Sequence, residues 1–292
     1  MKKLFAIALV FACLVPAALA RDIAPVVDSA WLEANLSNPR LVIMDMRKVE
    51  DYKLGHIPGA VNVIGASVYV KQGDINNEVP AMDDLSDVLS DAGVKADSLI
   101  VVVETDASRF AWATRAAWTF KYAGLENVSL LGGGQAAWVK AGKAVQTEVA
   151  KKKGSYVAKA VPTFFADKAY VLGSRKAQVV DSRTYDAYFG ITKQAFVAQA
   201  GHFPGAYPLP YTWITNAEGM VKPMAELEAM AVKVGLDPNV ETITYCDSGV
   251  LCTAWWWVFS EVLGWKNVRS FDGSSQVLTA DPSVKYISLT WR

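Results

Sequence analysis

Short apolar runs of strand length alternate with longer segments of helical pattern along most of the chain. Leu41–Asp45, Ser98–Val103 and Val128–Leu131 are compact apolar stretches that read as buried strands. Between them, Met82–Ala92 and Ala111–Tyr122 have the length and composition of helices. The pattern then recurs. Met224, Leu227, Met230, Ala231 and Val234 fall at steps of three and four residues, which predicts an amphipathic helix. Thr242–Tyr245 reads as the next strand and Thr253–Leu263 as the helix after it. Strands separated by helices predict an α/β fold built on mostly parallel sheets flanked by helices.

The recurrence extends to particular residues. Leu41-Val-Ile-Met-Asp45-Met-Arg47 is answered by Val179-Val-Asp181-Ser-Arg183, and Gly55-His-Ile-Pro-Gly-Ala60 by Gly201-His-Phe-Pro-Gly-Ala206. The run Leu99–Val103 matches Thr242–Tyr245, Gly124-Leu-Glu-Asn-Val128 matches Gly264-Trp-Lys-Asn-Val268, and the glycines at 132–134 face Asp272-Gly273-Ser274. Landmarks kept in one order indicate a duplication, whereas a solenoid would need three or more units. The polar run Lys151-Lys-Lys-Gly-Ser155 separates the copies, giving domains at 21–150 and 151–292.

Residues 1–20 follow neither pattern. Lys2 and Lys3 precede an uncharged, mostly apolar run, Leu4 to Ala20, broken by Pro16 and ending in Ala18-Leu19-Ala20 before Arg21. A basic start, apolar middle and small-x-small ending predict a signal peptide cut after Ala20, and so a periplasmic or secreted protein. A membrane anchor is the competing reading, but the run falls short of the ~20 residues a span needs. Lipid attachment at Cys13 ranks below cleavage, because Phe11 fits that pattern poorly.

Cleavage removes two lysines and no acid, which leaves 27 basic residues against 29 acidic ones and a net charge near −2. That balance gives no sign of a nucleic-acid partner, and no basic amphipathic stretch suggests a membrane surface. No stable membrane insertion is expected after cleavage. Cys246 and Cys252 are the cysteines left, enough for one disulfide at most. With His56 and His202 the only histidines, a His-rich metal site has nothing to draw on. No metal or cofactor is called for. In the Gly-His-x-Pro-Gly-Ala element the proline and glycines favour a tight turn before the next strand. Its recurrence in a half without cysteine points to a turn role for both histidines.

The Asp-x-Arg strand ending, the Gly-His-x-Pro-Gly-Ala turn and the strand–cysteine loop–helix order together resemble the rhodanese family, over about Val27 to Val277 in two copies. The resemblance implies a rhodanese-like α/β fold in each copy. It also implies a cysteine at the mouth of a loop that receives and donates sulfane sulfur, commonly in the carboxyl-terminal copy. Cys246 is then the catalytic residue. Its loop backbone is Asp247, Ser248, Gly249, Val250, Leu251 and Cys252, with Asp181, Arg183 and His202 as candidate supports.

The residues themselves agree. Cys246 ends a strand, and a loop leads from it into a helix. Such a loop can wrap its N–H groups around one sulfur, while the helix N-terminus adds about half a positive charge. Both favour the reactive thiolate. Gly249 lets the backbone approach closely. The competing reading is a buried, inert thiol. The corresponding loop of the first copy, Glu104-Thr-Asp-Ala-Ser-Arg109, has no cysteine. That half is expected to be chemically silent and to shape the cleft, with Arg109 either an anion contact or a solvated surface residue.

Departures from the family bear on the donor. Thiosulfate-specific members carry basic residues after the cysteine, where Asp247 and Ser248 stand here. Asp247-Ser-Gly-Val-Leu251 is closer to the mercaptopyruvate-type loop, but Leu251 replaces its hydroxyl residue. A substrate-binding arginine of the family falls at Ala187. Unless Asp247 points into solvent, it meets an anionic donor: like charges ~6 Å apart at an effective dielectric of ~20 repel by roughly 2–3 kcal/mol. Cys252 stands where related phosphatases keep their phosphate-clamping arginine, which argues against phosphatase or arsenate-reductase chemistry. It either resolves a disulfide with Cys246 or packs beneath the loop. Trp255-Trp-Trp257 cover most of a helix circumference, so at least one is expected to face the other domain or the cleft.

Three functions follow from these residues. The first is an exported sulfurtransferase passing sulfur from a small donor through Cys246 to a thiol acceptor. The second is a thiol–disulfide or chalcogen-oxyanion redox protein using Cys246 and Cys252. The third is a non-catalytic binding module.

Overall fold

The computed structural model describes residues 21–216 and 219–289. The proposed signal peptide and Cys13 lie outside the described residues. The first half contains β1 (Val26–Val27), β2 (Leu41–Asp45), β3 (Val61–Asn62), β4 (Val70–Gln72), β5 (Ile75–Glu78), β6 (Leu99–Val103) and β7 (Val128–Leu131). Five of them form a parallel sheet in the order β1-β7-β6-β2-β3, and β4 and β5 make a separate antiparallel hairpin. The second half contains β8 (Phe165–Ala166), β9 (Gln178–Asp181), β10 (Tyr207–Pro208), β11 (Thr242–Tyr245) and β12 (Val268–Phe271). Their parallel sheet runs β8-β12-β11-β9-β10, the same permutation as the first.

The inner strands form where the sequence predicts because parallel strands covered on both faces read as unbroken apolar runs. β6, Leu-Ile-Val-Val-Val, is buried along its whole length, and its β-branched residues suit the pleat. Helices Met82–Asp91, Phe110–Tyr122 and Met224–Lys233 also lie where periodicity puts them. The predicted helix Thr253–Leu263 starts one residue early, as Cys252–Trp257, and then widens into a π-helical turn over Val258–Val262.

Helix Phe110–Tyr122 of the first half packs on helix Cys252–Trp257 of the second. Ala113, Ala116 and Ala117 keep the first helix slim, and Thr114 Oγ1 meets Thr253 Oγ1 across the join at 3.1 Å. The largest apolar cluster therefore spans both halves, joining Trp118 and Phe120 to Trp255, Trp256, Trp257 and Phe259. All three consecutive tryptophans are fully buried in it. Trp255 and Trp256 donate to the carbonyls of Pro210 and Val268, and the Arg21 guanidinium lies over Trp257. Each half keeps a smaller cluster on the other face of its sheet. The connecting segment runs back along the first half, where Gly154, Ser155, Lys159 and Val161 donate to the carbonyls of Ser90, Val94, Ala123 and Tyr122. Among the described residues no helix is long and apolar enough to cross a membrane.

A core common to both halves should make them unfold together. Trp118→Ala is expected to cost about 3–5 kcal/mol and to shift one cooperative denaturant transition, followed in parallel by fluorescence and circular dichroism. A second transition that leaves the Cys246 half intact would contradict this.

Candidate active site

Cys246 follows the last residue of β11, and the chain from Asp247 to Leu251 curls back before the helix begins at Cys252. The amides of Ser248 and Cys252 lie on the curl and favour the ionised form of the Cys246 sulfur. Ser274 braces the curl from β12's side. Its Oγ accepts the N–H groups of Cys246 at 3.0 Å and Gly249 at 3.2 Å, and donates to Phe271 O at 2.8 Å. Ser274 does this from a left-handed backbone, φ +47°, a conformation that costs an L-residue about 1–2 kcal/mol. Ser275 and Gln276 continue the brace by donating to the carbonyls of Cys246 and Asp247. Gly249, at φ +77°, is needed here: a Cβ would sit 2.4 Å from Asp272 O.

Burial pushes the Cys246 thiol up, but the Cys252 thiol and the amides of Cys252 and Ser248 outweigh it and bring the group down to about 7. Cys252 moves the other way, well above the ordinary thiol range, through burial and the neighbouring Cys246 sulfur. Of the two, Cys246 is the one favoured to ionise. Both thiols are free.

Asp247 does not point into solvent and is not an unpaired anion, yet its charge still works against one on Cys246. Its carboxylate is buried beside Arg183, with Oδ1 3.5 Å from Nη1. Burial raises its pKa and Arg183 opposes that rise. Arg183 is itself bound to Asp181 through Nε at 3.0 Å and Nη2 at 2.7 Å, and it donates to Gly201 O at 2.7 Å. Arg47 repeats this clamp in the first half, holding Asp45 and donating to Gly55 O at 2.8 Å. The Asp-x-Arg motif thus pins a strand end to the Gly-His-x-Pro-Gly-Ala turn. His202 belongs to that turn: Nδ1 lies 2.8 Å from Tyr188 O and the ring stacks on Tyr188 at 3.7 Å. His56 makes the same pair of contacts with Tyr52. Ala187, at the place of the family arginine, is buried and offers no charge.

The expected open mouth is absent. Cys246 is 0% exposed, because the β4–β5 hairpin of the first half lies across its loop. Asn77 Nδ2 donates to Ser248 Oγ at 2.9 Å, Gln276 Nε2 to Asp74 O at 2.6 Å, and Val79 N to Asp272 Oδ2 at 2.8 Å. Arg115, fully buried on helix Phe110–Tyr122, reaches Gly249 O at 3.0 Å and ion-pairs with Asp272. Burial, with Asp272 close by, raises Glu78 to about 7 against the pull of Arg115. The first half does shape the site, as expected, but through residues that the sequence reading missed. Two signals for them were present: an arginine inside the apolar run Ala113–Trp118, and Ser274 standing opposite a glycine, Gly134, in the repeat.

In the first half Glu104 occupies the place of Cys246. Gln135 N and Ala136 N donate to the carbonyls of Glu104 and Thr105, as Ser275 N and Gln276 N do to those of Cys246 and Asp247. Arg109 is neither fully solvated nor at the cysteine: it lies 3.6 Å from Glu104 and stacks over Trp112. Gly219 and Met220 of the second half pack against Ala107 and the 132–133 glycines. Among the described residues no group of three or more His, Cys, Asp or Glu side chains is placed to hold a metal ion.

Two matching α/β halves, one with a buried cysteine in a curled loop between strand and helix, define a tandem protein with one thiol site among the described residues. The rhodanese-like domain matches residues 28–141 and again 167–281, and the chain belongs to the rhodanese family. A Mycolicibacterium smegmatis protein named "Putative thiosulfate sulfurtransferase" is 31% identical over 260 residues, 85% of this chain and 92% of that one. "Sulfur carrier protein TtuD" of Thermus thermophilus is 26% identical, over 85% of this chain and 91% of its own length. The crystal structure of SseA from Escherichia coli, a 3-mercaptopyruvate sulfurtransferase, superposes with a TM-score of 0.77 at 25% identity, covering 86% of this chain and 99% of SseA. An anaerobic ergothioneine biosynthesis enzyme from Chlorobium limicola shares the fold, with a TM-score of 0.79 at 23% identity, over 91% of this chain and 70% of that one. The chain is an enzyme of the sulfurtransferase class.

A thiolate held down by a neighbouring thiol has a measurable pH signature. The rate of Cys246 alkylation by iodoacetamide is expected to rise with pH through a midpoint near 7, below the ~8.5 of a free thiol. Cys252→Ala removes one donor and should move that midpoint up. An unmoved midpoint would mean that the amides alone hold the charge.

Proposed function

We infer that this is an exported sulfurtransferase that carries sulfane sulfur as a persulfide on Cys246 and passes it to a thiol acceptor. One observation carries the reading: Cys246 lies in a curled loop between β11 and the helix opening at Cys252, braced by the Ser274 hydroxyl, where the neighbouring amides and Cys252 favour its ionised form. In the first half-reaction the thiolate attacks the transferable sulfur of the donor. With thiosulfate the S–S bond breaks and sulfite leaves; with 3-mercaptopyruvate the C–S bond breaks and pyruvate leaves after protonation. In the second, an acceptor thiolate takes the terminal sulfur and Cys246 returns as thiolate. The same donors that favour the thiolate suit a persulfide anion. Asp247, paired with Arg183, does not forbid an anionic donor, although no arginine replaces Ala187. The Asp247–Leu251 loop favours a mercaptopyruvate-type donor. Export rests on the pattern of residues 1–20, and predicts a mature chain beginning at Arg21 in the periplasmic or secreted fraction.

The nearness of Cys252 supports a second reading, a thiol–disulfide redox protein. Thiol counting separates it from the first: two thiols that persist under mild oxidant exclude it.

Exposure to thiosulfate or 3-mercaptopyruvate should add about 32 Da, one sulfur atom, to Cys246. The Cys246→Ser chain should gain nothing. A wild-type chain that stays unmodified with both donors and with an organic persulfide would remove the sulfurtransferase reading. An intact cellular phenotype in Cys246→Ser would favour a binding module instead.

A further inference from the structure

Transfer to an outside thiol leaves one nucleophile at the site unused. Cys252 opens the helix after the loop and is fully buried. Its Sγ lies 3.4 Å from Ser270 Oγ and 3.9 Å from Ser274 Oγ. The same Ser274 Oγ is 3.8 Å from Cys246 Sγ, so one hydroxyl touches both sulfurs. That hydroxyl also donates to Phe271 O at 2.8 Å, which fixes it in place against both sulfurs. Both thiols therefore lie within reach of one hydroxyl, and Cys252 helps hold the Cys246 thiol down. The β4–β5 hairpin, meanwhile, covers the loop from solvent. A persulfide formed here would have a second thiol sharing the Ser274 hydroxyl with its inner sulfur.

We propose that Cys252 discharges the Cys246 persulfide from within, releasing sulfide and leaving a Cys246–Cys252 disulfide. The proposal rests on the persulfide reading above. Cys252 Sγ bonds to Cys246 Sγ as the bond from Cys246 Sγ to the terminal sulfur breaks, and that bond's electron pair leaves with the terminal sulfur. The Cys252 proton moves to the terminal sulfur, which departs as HS⁻. The Cys252 sulfur is oxidised, the departing sulfur is reduced, and no outside oxidant enters. Burial and the Cys246 sulfur keep that proton on Cys252 in the resting protein, so the attacking group brings the proton the product needs. A dithiol reductant then reopens the disulfide. The chain thereby converts donor sulfur to sulfide, with the dithiol as the net source of electrons.

A single-turnover experiment tests this. The reduced full chain is mixed anaerobically with one equivalent of thiosulfate and no thiol. Sulfite, sulfide and intact mass are then followed. The expected wild-type result is sulfite release, then one sulfide per chain, and a final mass about 2 Da below the reduced protein, as for one disulfide. Cys252→Ser and Cys252→Ala should release sulfite and no sulfide, keeping an adduct of about 32 Da. A wild-type adduct that persists without sulfide release, as in the variants, overturns the proposal and leaves sulfur transfer standing. Absence of sulfite and adduct from all three proteins, repeated as absence of any adduct with 3-mercaptopyruvate and with an organic persulfide, overturns the persulfide reading, and this proposal with it.

Discussion

The buried Asp272 carboxylate is the point at which the two halves become one site. It pairs with Arg115 from the first half's helix and accepts the amide of Val79 beside the covering hairpin. Its own backbone carbonyl sits so close to Gly249 that only glycine fits there. Arg115 in turn donates to Gly249 O. Helix, hairpin and cysteine loop are thus tied to one charge that water cannot reach. Burying such a pair is costly, and removing one partner from it typically costs about 3–5 kcal/mol. The arrangement is better understood as fixing geometry than as adding stability.

That fixed geometry explains how an anionic sulfur survives in a dry interior. Among the described residues the arginines around it already have carboxylate partners. Arg183 is engaged by Asp181 and Asp247, and Arg115 by Asp272. The charge on Cys246 is met by neutral dipoles, two amides and a thiol. Preorganised dipoles of this kind need no rearrangement when charge moves from one sulfur to the next. The left-handed backbone of Ser274 belongs to the same economy: local strain is accepted so that one hydroxyl can hold two loop amides.

The sequence was readable where interactions are local or where burial is continuous. β2, β7 and β11 were found residue for residue because both faces of each are covered. The two-residue edge strands Val26–Val27, Val61–Asn62, Phe165–Ala166 and Tyr207–Pro208 are too short to show any period. The hairpin is rich in Lys, Gln and Asn, with no apolar alternation to announce it. Cys246 was legible from its place after a strand. Its surroundings were not, because the bonds of Arg115 to Gly249 and Asp272 span 134 and 157 residues. The partner of Asp247 was hidden for the same reason: Arg183, which partly offsets its charge, lies 64 residues away.

The two halves cover each other. The hairpin of the first lies over the cysteine loop of the second, and Gly219 and Met220 of the second fill the matching recess of the first. Gene duplication ordinarily leaves a spare copy free to decay or be lost. Here the copy without the cysteine roofs the loop of the copy that has it, so each half's exposed surface depends on the other. A half-length chain would bare the tryptophans of the common core, a greasy face that invites aggregation. The duplication, once made, has become irreversible.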